Sequence, residues 1–284
     1  MKIKDYRTLF IDTLSVIYDR AEAESFFYII LEDKHRIKRI DLALQPDLML
    51  TAEEILGWDT IKNQLEQEIP LQYILGKTSF YGLDFIVNEN VLIPRQETEE
   101  LVEWIIAVSA KRQKGEVLRI LDIGTGSGCI AISLAKNIEQ AEVYAIDVSE
   151  GALSIARQNA EANGVKVNFI LRNILETKDL GQQFDIIVSN PPYVRNLEKQ
   201  EIRKNVLDNE PHLALFVADN NALVFYDAIA ELALKNLNPA GQLYFEINQY
   251  LGTEMTELLD SKGFKNIELR KDIYGNDRMT FCSK

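Results

Sequence analysis

The segment "VLRILDIGTGSGCIAISLAKNI", residues 117–138, joins two periodicities through a run of glycines. Its first part, "VLRILDIG", is a short apolar run of the kind that fills a strand buried on both faces. Its second part, "GCIAISLAKNI", reads as an apolar helix. Between them stand Gly124, Gly126 and Gly128, with Thr125 and Ser127 interleaved. Glycine at such a turn permits positive φ and lets a ligand come close to the backbone. A dinucleotide fingerprint would be G-x-G-x-x-G; here the third glycine comes one residue early. Asp147 ends the next strand, "EVYAIDV", 23 residues after Gly124. A carboxylate there can accept both hydroxyls of a ribose, so loop and acid together point to a nucleoside-containing cofactor. The plainer reading is a tight turn followed by an exposed strand-end acid.

Working outward, strands and helices alternate to the end of the chain. "SEGALSIARQNAEANG" is a helix ending at Gly164, and "VKVNFIL" and "FDIIVSN" are further strands. A helix around "ALVFYDAIAELALKNL", the strand "GQLYFEI", the helix "LGTEMTELLDSKG" and strands near "NIELRK" and "RMTFCS" follow. This is the pattern of a doubly wound α/β domain with a mostly parallel sheet, in which ligands collect at the carboxyl ends of the strands. Three strands end suggestively, in Asp122-Ile-Gly124, in Asp147 and in Asn190. The last belongs to "IIVSNPPYVR", residues 186–195, where Pro191 and Pro192 must lie just past the strand because proline fixes φ and has no N–H to donate.

Upstream the rhythm differs. To about residue 75 the chain reads as a small helical bundle without a catalytic cluster. "YRTLFIDTLSVIY" places Tyr6, Leu9, Phe10, Thr13, Leu14 and Ile17 at helical spacing, "AEAESFFYIILED" is a second helix, and "TAEEILGWDTIKNQLEQ" opens with Thr51 and Glu54 in capping-box register. The bundle could be a structural cap or could recognise something large. Residues 76–96 are expected to form a β-hairpin linker turning at "NEN", and "ETEELVEWIIAVSAKRQ" resumes helical spacing at the start of the domain 97–284.

The length of 284 residues suits one large or two modest domains. No stretch approaches the ~20 apolar residues of a membrane span. Asp5 and Asp12 interrupt the N-terminal run where a signal peptide would be apolar. The two cysteines, Cys129 and Cys282, lack metal-ligand spacing and suit a reduced, cytosolic compartment as small core residues. No metal site is expected. A net charge of −13 argues against a duplex nucleic-acid partner. The basic cluster "KHRIKR", Lys34–Arg39, reads as a solvated helix face rather than a docking patch.

The glycine loop with its strand-terminal acid resembles the seven-stranded S-adenosylmethionine (SAM)-dependent methyltransferases. That resemblance implies Asp122 near the methionine end of the cofactor, Gly124 to Gly128 beneath it, and Asp147 on the ribose. An acid often found near the adenine is replaced here by Asn173, in "LRNIL". "NPPY", Asn190–Tyr193, resembles the signature of methyltransferases acting on planar amino or amide nitrogens. The lone pair of such a nitrogen is delocalised, so it is a poor nucleophile. Two acceptors aimed at its N–H groups, Asn190 Oδ1 and the Pro191 carbonyl, can hold it and favour pyramidalisation. Consecutive prolines stiffen that carbonyl and add no competing donor. Tyr193 can stack on the target's planar face. Catalysis would be mainly positioning, without a dedicated base.

The run "PLQYILGKTSFYGLDFIVNENVLIPRQETEELV", with "NEPHLALF" further on, closely resembles the release-factor glutamine methyltransferases (PrmC/HemK family). That implies a helical N-terminal domain that binds the factor, a hairpin linker and a catalytic domain. The implied reaction methylates the glutamine amide in the Gly-Gly-Gln motif of peptide-chain release factors. Arg95, in "IPR", would line the glutamine entrance or serve as a structural elbow. The chain departs from the family at "FEINQ", where Asn248 stands in place of a common glycine, and at "NNALVFY", where a Gly-Leu pair is usual. The alternatives are a glutamine methyltransferase of a large-subunit ribosomal protein, a nucleic-acid amino methyltransferase, a non-catalytic SAM-binding module and, weakest, a nicotinamide dehydrogenase.

Overall fold

The computed structural model describes residues 1–112 and 115–284. Two compact units form, one from Met1–Gly76 with Lys204–Asn209, the other from Lys77–Arg203 with Glu210–Lys284.

In the first unit the helices Ile3–Leu14, Arg20–His35 and Ala52–Glu66 enclose Phe10, Phe27 and Trp58, with Phe10 edge-on to both other rings at 5.7 Å. Such tilted aromatic contacts add to the burial term. Of the stripe expected on the first helix, Tyr6, Phe10 and Leu14 are buried, but Leu9 is exposed and the helix stops before Ile17. After the helix end the Ile17 and Tyr18 N–H groups turn back on the Leu14 carbonyl, and Asp19, whose carboxylate accepts from the Glu22 N–H at 2.8 Å, starts the next helix. Ile3 and Ile11 complete the buried face instead. Thr51 and Glu54 form the expected capping box. The "KHRIKR" segment is an ion-paired helix exit: Lys34 meets Asp33, His35 accepts from Trp58 Nε1, and Arg39 meets Glu24.

The second unit is built on a seven-stranded sheet. In chain order its strands are β3 (Leu118–Ile123), β4 (Ala141–Asp147), β5 (Val167–Leu171), β6 (Phe184–Ser189), β9 (Leu237–Glu246), β10 (Lys265–Lys271) and β11 (Asp277–Ser283), after the hairpin β1 (Lys77–Phe80) and β2 (Leu83–Ile86). The spatial order is β10-β11-β9-β6-β3-β4-β5, with β11 antiparallel to both neighbours and the other pairs parallel. Ile120, Ile186 and Val188 face one apolar layer, and Leu121, Ile187 and Leu243 the other. That is why the central strands carry unbroken apolar runs. A two-residue pairing of β7 (Val194–Arg195) with β8 (Phe216–Val217) lies beyond β6.

The hairpin is present but does not turn at "NEN". Its tip is Tyr81-Gly82, both at positive φ (49° and 71°), the geometry a two-residue hairpin turn requires. "NEN" instead forms a local turn closed by the Asn90 N–H on Asn88 Oδ1. Buried Asn159 ties the hairpin to the helix Glu150–Ala162. Its amide pairs with both the N–H and the carbonyl of Ile86, as a neighbouring strand would, and also donates to the Ser127 carbonyl in the glycine loop. The helix predicted over 97–113 spans Gln96–Ser109; Gln113 lies outside the described residues.

Candidate active site

A cleft of about 1150 Å³, open solvent at its mouth included, lies at the carboxyl ends of β3, β4 and β6. Its floor is the glycine loop. Gly124, Gly126 and Gly128 all have positive φ. A Cβ on Gly124 or Gly126 would point into open space, whereas one on Gly128 would strike Ile132 and Ala156, 2.8 and 3.2 Å away. The first two glycines therefore serve the turn and the approach of a ligand, and the third serves the packing of the helices Cys129–Asn137 and Glu150–Ala162.

Two acids flank this loop. Asp147 accepts from the Gly126 N–H on one oxygen and the Ser149 N–H on the other, both at 2.9 Å. Each oxygen keeps a second lone pair, enough to accept two hydroxyls of a ribose. Burial raises its pKa against the pull of those N–H groups. Asp122 is wholly buried behind the loop. Its Oδ2 accepts from Thr125 Oγ1 at 2.6 Å, and its Oδ1 makes no hydrogen bond of ordinary geometry. Desolvation pushes its pKa up to about 7, the Thr125 hydroxyl and the Ala131 N–H opposing and the Asp147 charge adding to the rise. Asn173 also lines the cleft, with Oδ1 held by the Leu175 N–H at 3.1 Å. That bond leaves Nδ2 as the end of the amide with donors to give. Glycine floor, two-oxygen acceptor and rim amide together fit a nucleoside-bearing cofactor.

On the opposite wall stand Asn190, Pro191 and Pro192, with Thr98 and Arg95. Asn190 Nδ2 donates to Thr98 Oγ1 at 3.3 Å, and Thr98 Oγ1 donates to Glu246 Oε2 at 2.6 Å. Tyr193 does not line the cleft. Its hydroxyl donates to Glu246 Oε1 at 3.1 Å and its ring packs on the apolar layer over β6 and β9. Burial raises the pKa of both Glu246 and Tyr193. Asn248, distant from the tetrad in sequence, touches it: Nδ2 donates to the Tyr193 carbonyl at 3.0 Å and to Glu198 Oε2 at 2.9 Å. Arg195 in turn clamps Glu198 through Nη2 at 2.6 Å. Arg95 forms a 2.6 Å ion pair with buried Glu210, which also accepts from the Ile93 N–H. The elbow "IPR" and the segment "NEPHLALF" are thereby held as one wall.

Of the residues singled out from the sequence, the cleft brings together Gly124–Ser127, Asp147, Asn173, Arg95, Asn190, Pro191 and Pro192, whereas Asp122, Gly128 and Tyr193 lie behind its walls. Thr98 and Glu246 were not singled out, although "ETEE" and "FEINQ" contain them, and the contact of Asn248 with the tetrad was not foreseen. Cys282 is a core residue, while Cys129 lines the cleft with its thiol pushed up to about 12 by burial, and so is no thiolate nucleophile. No histidine lines this cleft. Among the described residues no cluster of His, Cys, Asp or Glu could hold a metal ion.

The chain matches the pattern of the methyltransferase small domain over residues 106–214 and that of the PrmC N-terminal domain over residues 8–76. It is 63% identical over 279 residues, 98% of each chain, to the release factor glutamine methyltransferase of Flavobacterium psychrophilum. Its identity to the enzyme of that name from Bacteroides thetaiotaomicron is 43%, over 96% of each chain. Among solved structures the 16S rRNA N2 G1207 methyltransferase of T. thermophilus, in complex with AdoMet and guanosine, shares the fold at a TM-score of 0.50 and 20% identity, covering 73% of this chain and 49% of that one. Sequence, sheet topology and cleft agree, and the chain belongs to the release factor glutamine methyltransferase family.

Proposed function

We propose that this protein transfers a methyl group from SAM to the side-chain amide nitrogen of the glutamine in the Gly-Gly-Gln motif of peptide-chain release factors. One observation supports this reading above the rest. The hydrogen bond from Asn190 Nδ2 to Thr98 leaves Asn190 Oδ1 as the end of the amide free to accept, next to the rigid carbonyl of Pro191. Two acceptors on one wall suit a nitrogen carrying two N–H groups. SAM supplies an electrophilic methyl on a sulfonium centre. Asp147 would hold the ribose, the loop Gly124–Gly128 the methionine end, with Asp122 bracing that loop from behind through Thr125, and Asn173 the adenine. Asn190 Oδ1 and the Pro191 carbonyl would hold the target nitrogen while Pro192 fixes the turn. SAM would supply the methyl group and keep the S–C electrons, while Asn190 Oδ1 and the Pro191 carbonyl would hold the nitrogen with its lone pair free to take that methyl, and the proton would pass to water, since a methylated, cationic nitrogen is acidic. Tyr193 acts through its anchor to Glu246 rather than by stacking. Arg95 shapes the entrance from its pair with Glu210.

The helical residues 1–75, joined by the linker 76–96 to the catalytic residues 97–284, would contact the factor away from its glutamine. No helix among the described residues is long and apolar enough to cross a membrane, and reduced cysteines and a release-factor substrate fit a cytoplasmic site of action. Mass spectrometry of a purified release factor incubated with the protein and SAM tests the reading. It predicts the mass of a single added methyl, localised to the Gly-Gly-Gln glutamine. Methylation of a ribosomal protein or an RNA, with the factor unmodified, would transfer the reading to those substrates.

A further inference from the structure

Three side chains from three elements meet beneath the tetrad. Thr98 sits in the first turn of the helix Gln96–Ser109, Glu246 ends β9, and Asn190 lies just past β6. Thr98 and Glu246 are 2% and 1% exposed, so water does not compete for their hydrogen bonds. A hydroxyl has one proton to give, a carboxylate has only acceptors, and a primary amide has donors at one end and an acceptor at the other. Glu246 Oε2 takes the Thr98 proton at 2.6 Å, so Thr98 Oγ1 can only accept from its other neighbour. Asn190 must therefore meet it with Nδ2, at 3.3 Å. The second oxygen of Glu246 is committed to the Tyr193 hydroxyl at 3.1 Å.

From this geometry we infer that Glu246 and Thr98 are positioning residues that fix the polarity of the Asn190 amide. The inference rests on the reading given under Proposed function and deepens it. An obligate acceptor two hydrogen bonds away makes the tetrad present Oδ1, not Nδ2, to the nitrogen that is to be methylated. Were position 246 a glutamine, either Thr98 or Tyr193 would face an NH2 group. With that group on Thr98, the threonine proton would turn to Asn190 Oδ1, and Asn190 would offer donors to a substrate that also offers donors.

The test compares Thr98→Val, Thr98→Ser and Glu246→Gln in the full chain, by steady-state kinetics, SAM binding and exchange of the Asn190 side-chain amide protons. Thr98→Val and Glu246→Gln should lower kcat by roughly tenfold to a hundredfold, the scale of a misplaced acceptor in a positioning site. SAM affinity should hold, and Thr98→Ser, which keeps the hydroxyl, should restore the rate. One Asn190 amide proton should exchange slowly in the wild type and Thr98→Ser, and fast in Thr98→Val. Wild-type kcat in both Thr98→Val and Glu246→Gln, or equal exchange in Thr98→Val and the wild type, would overturn the inference. Should Glu246→Gln not fold, Thr98→Val decides alone. A wild-type protein that leaves release factors unmethylated would sink the functional reading, whereas the exchange comparison would still judge the amide's orientation.

Discussion

At the scale of single residues, Asn190 and Asp122 carry opposite expectations. Asn190→Ala removes an acceptor that acts on the reacting nitrogen and leaves the glycine floor untouched. Turnover should fall about 10²–10³-fold, while equilibrium dialysis finds SAM binding intact; near wild-type turnover would remove Asn190 from the mechanism. Asp122 is a buried acid whose pKa rises from 3.8 to about 7 on folding. Below about pH 4 folded and unfolded states are both protonated there. Between about 4 and 7 the unfolded chain ionises while the folded one keeps its proton, so the native state binds more protons and stability falls as pH rises. The loss should reach a plateau above pH 7, on the order of 4 kcal/mol. Asp122→Asn should then raise the Tm at pH 8, leave it little changed at pH 4, and weaken SAM binding. An unchanged Tm at pH 8 would show that the carboxylate is not desolvated.

At the scale of elements, the exits of neighbouring parallel strands are pinned to one another by side chains. Asn248 beyond β9 holds the carbonyl that follows the double proline after β6. Asn248→Gly, the change toward the common family residue, withdraws both donors and leaves buried Glu198 with Arg195 alone. A loss of about 1–3 kcal/mol in urea denaturation is expected, together with a lower kcat; no loss would make the contact incidental. Here too lies the boundary of what sequence could say. Strand, glycine turn, helix and strand-end acid follow rules that operate over neighbouring residues, so the placement of Asp122 and Asp147 at strand ends and of Gly124–Gly128 in the turn was legible from them. The hydrogen bond from Thr98 to Glu246 spans 148 positions, that from the Ile93 N–H to Glu210 spans 117, and that from Asn190 to Thr98 spans 92. No local periodicity encodes such pairings; they form because the fold brings the exits of β6 and β9, the start of the helix Gln96–Ser109 and two connecting segments together at one end of the sheet. The misplaced hairpin turn has the opposite cause. Tyr81 takes a positive φ that its type disfavours, held by its N–H on Glu99 and its hydroxyl on Glu103, so the composition of "NEN" looked the better turn.

At the scale of the whole molecule, the apolar cores are separate. One draws only on residues 3–71 and the others only on residues from 80 onward. The chain has two tryptophans, and each unit owns one. Trp58 lies in the helical unit against Phe27, donating to His35. Trp104 lies in the second unit beneath the Arg270 guanidinium, 3.7 Å from its centre, and against Tyr244. A ligand that binds the native second unit stabilises it by mass action, about 2.7 kcal/mol at a hundredfold excess over Kd. SAM should therefore raise the melting temperature read from Trp104 in a Trp58→Phe variant, and a transition that stays put would place the cofactor elsewhere. The same pair of rings has a practical consequence. Intrinsic emission from the unlabelled protein is a two-channel record, one channel per unit, and single-tryptophan variants separate the channels. How much of the energy delivered at the cofactor cleft reaches the helical unit becomes an optical measurement, made without dyes, tags or a substrate.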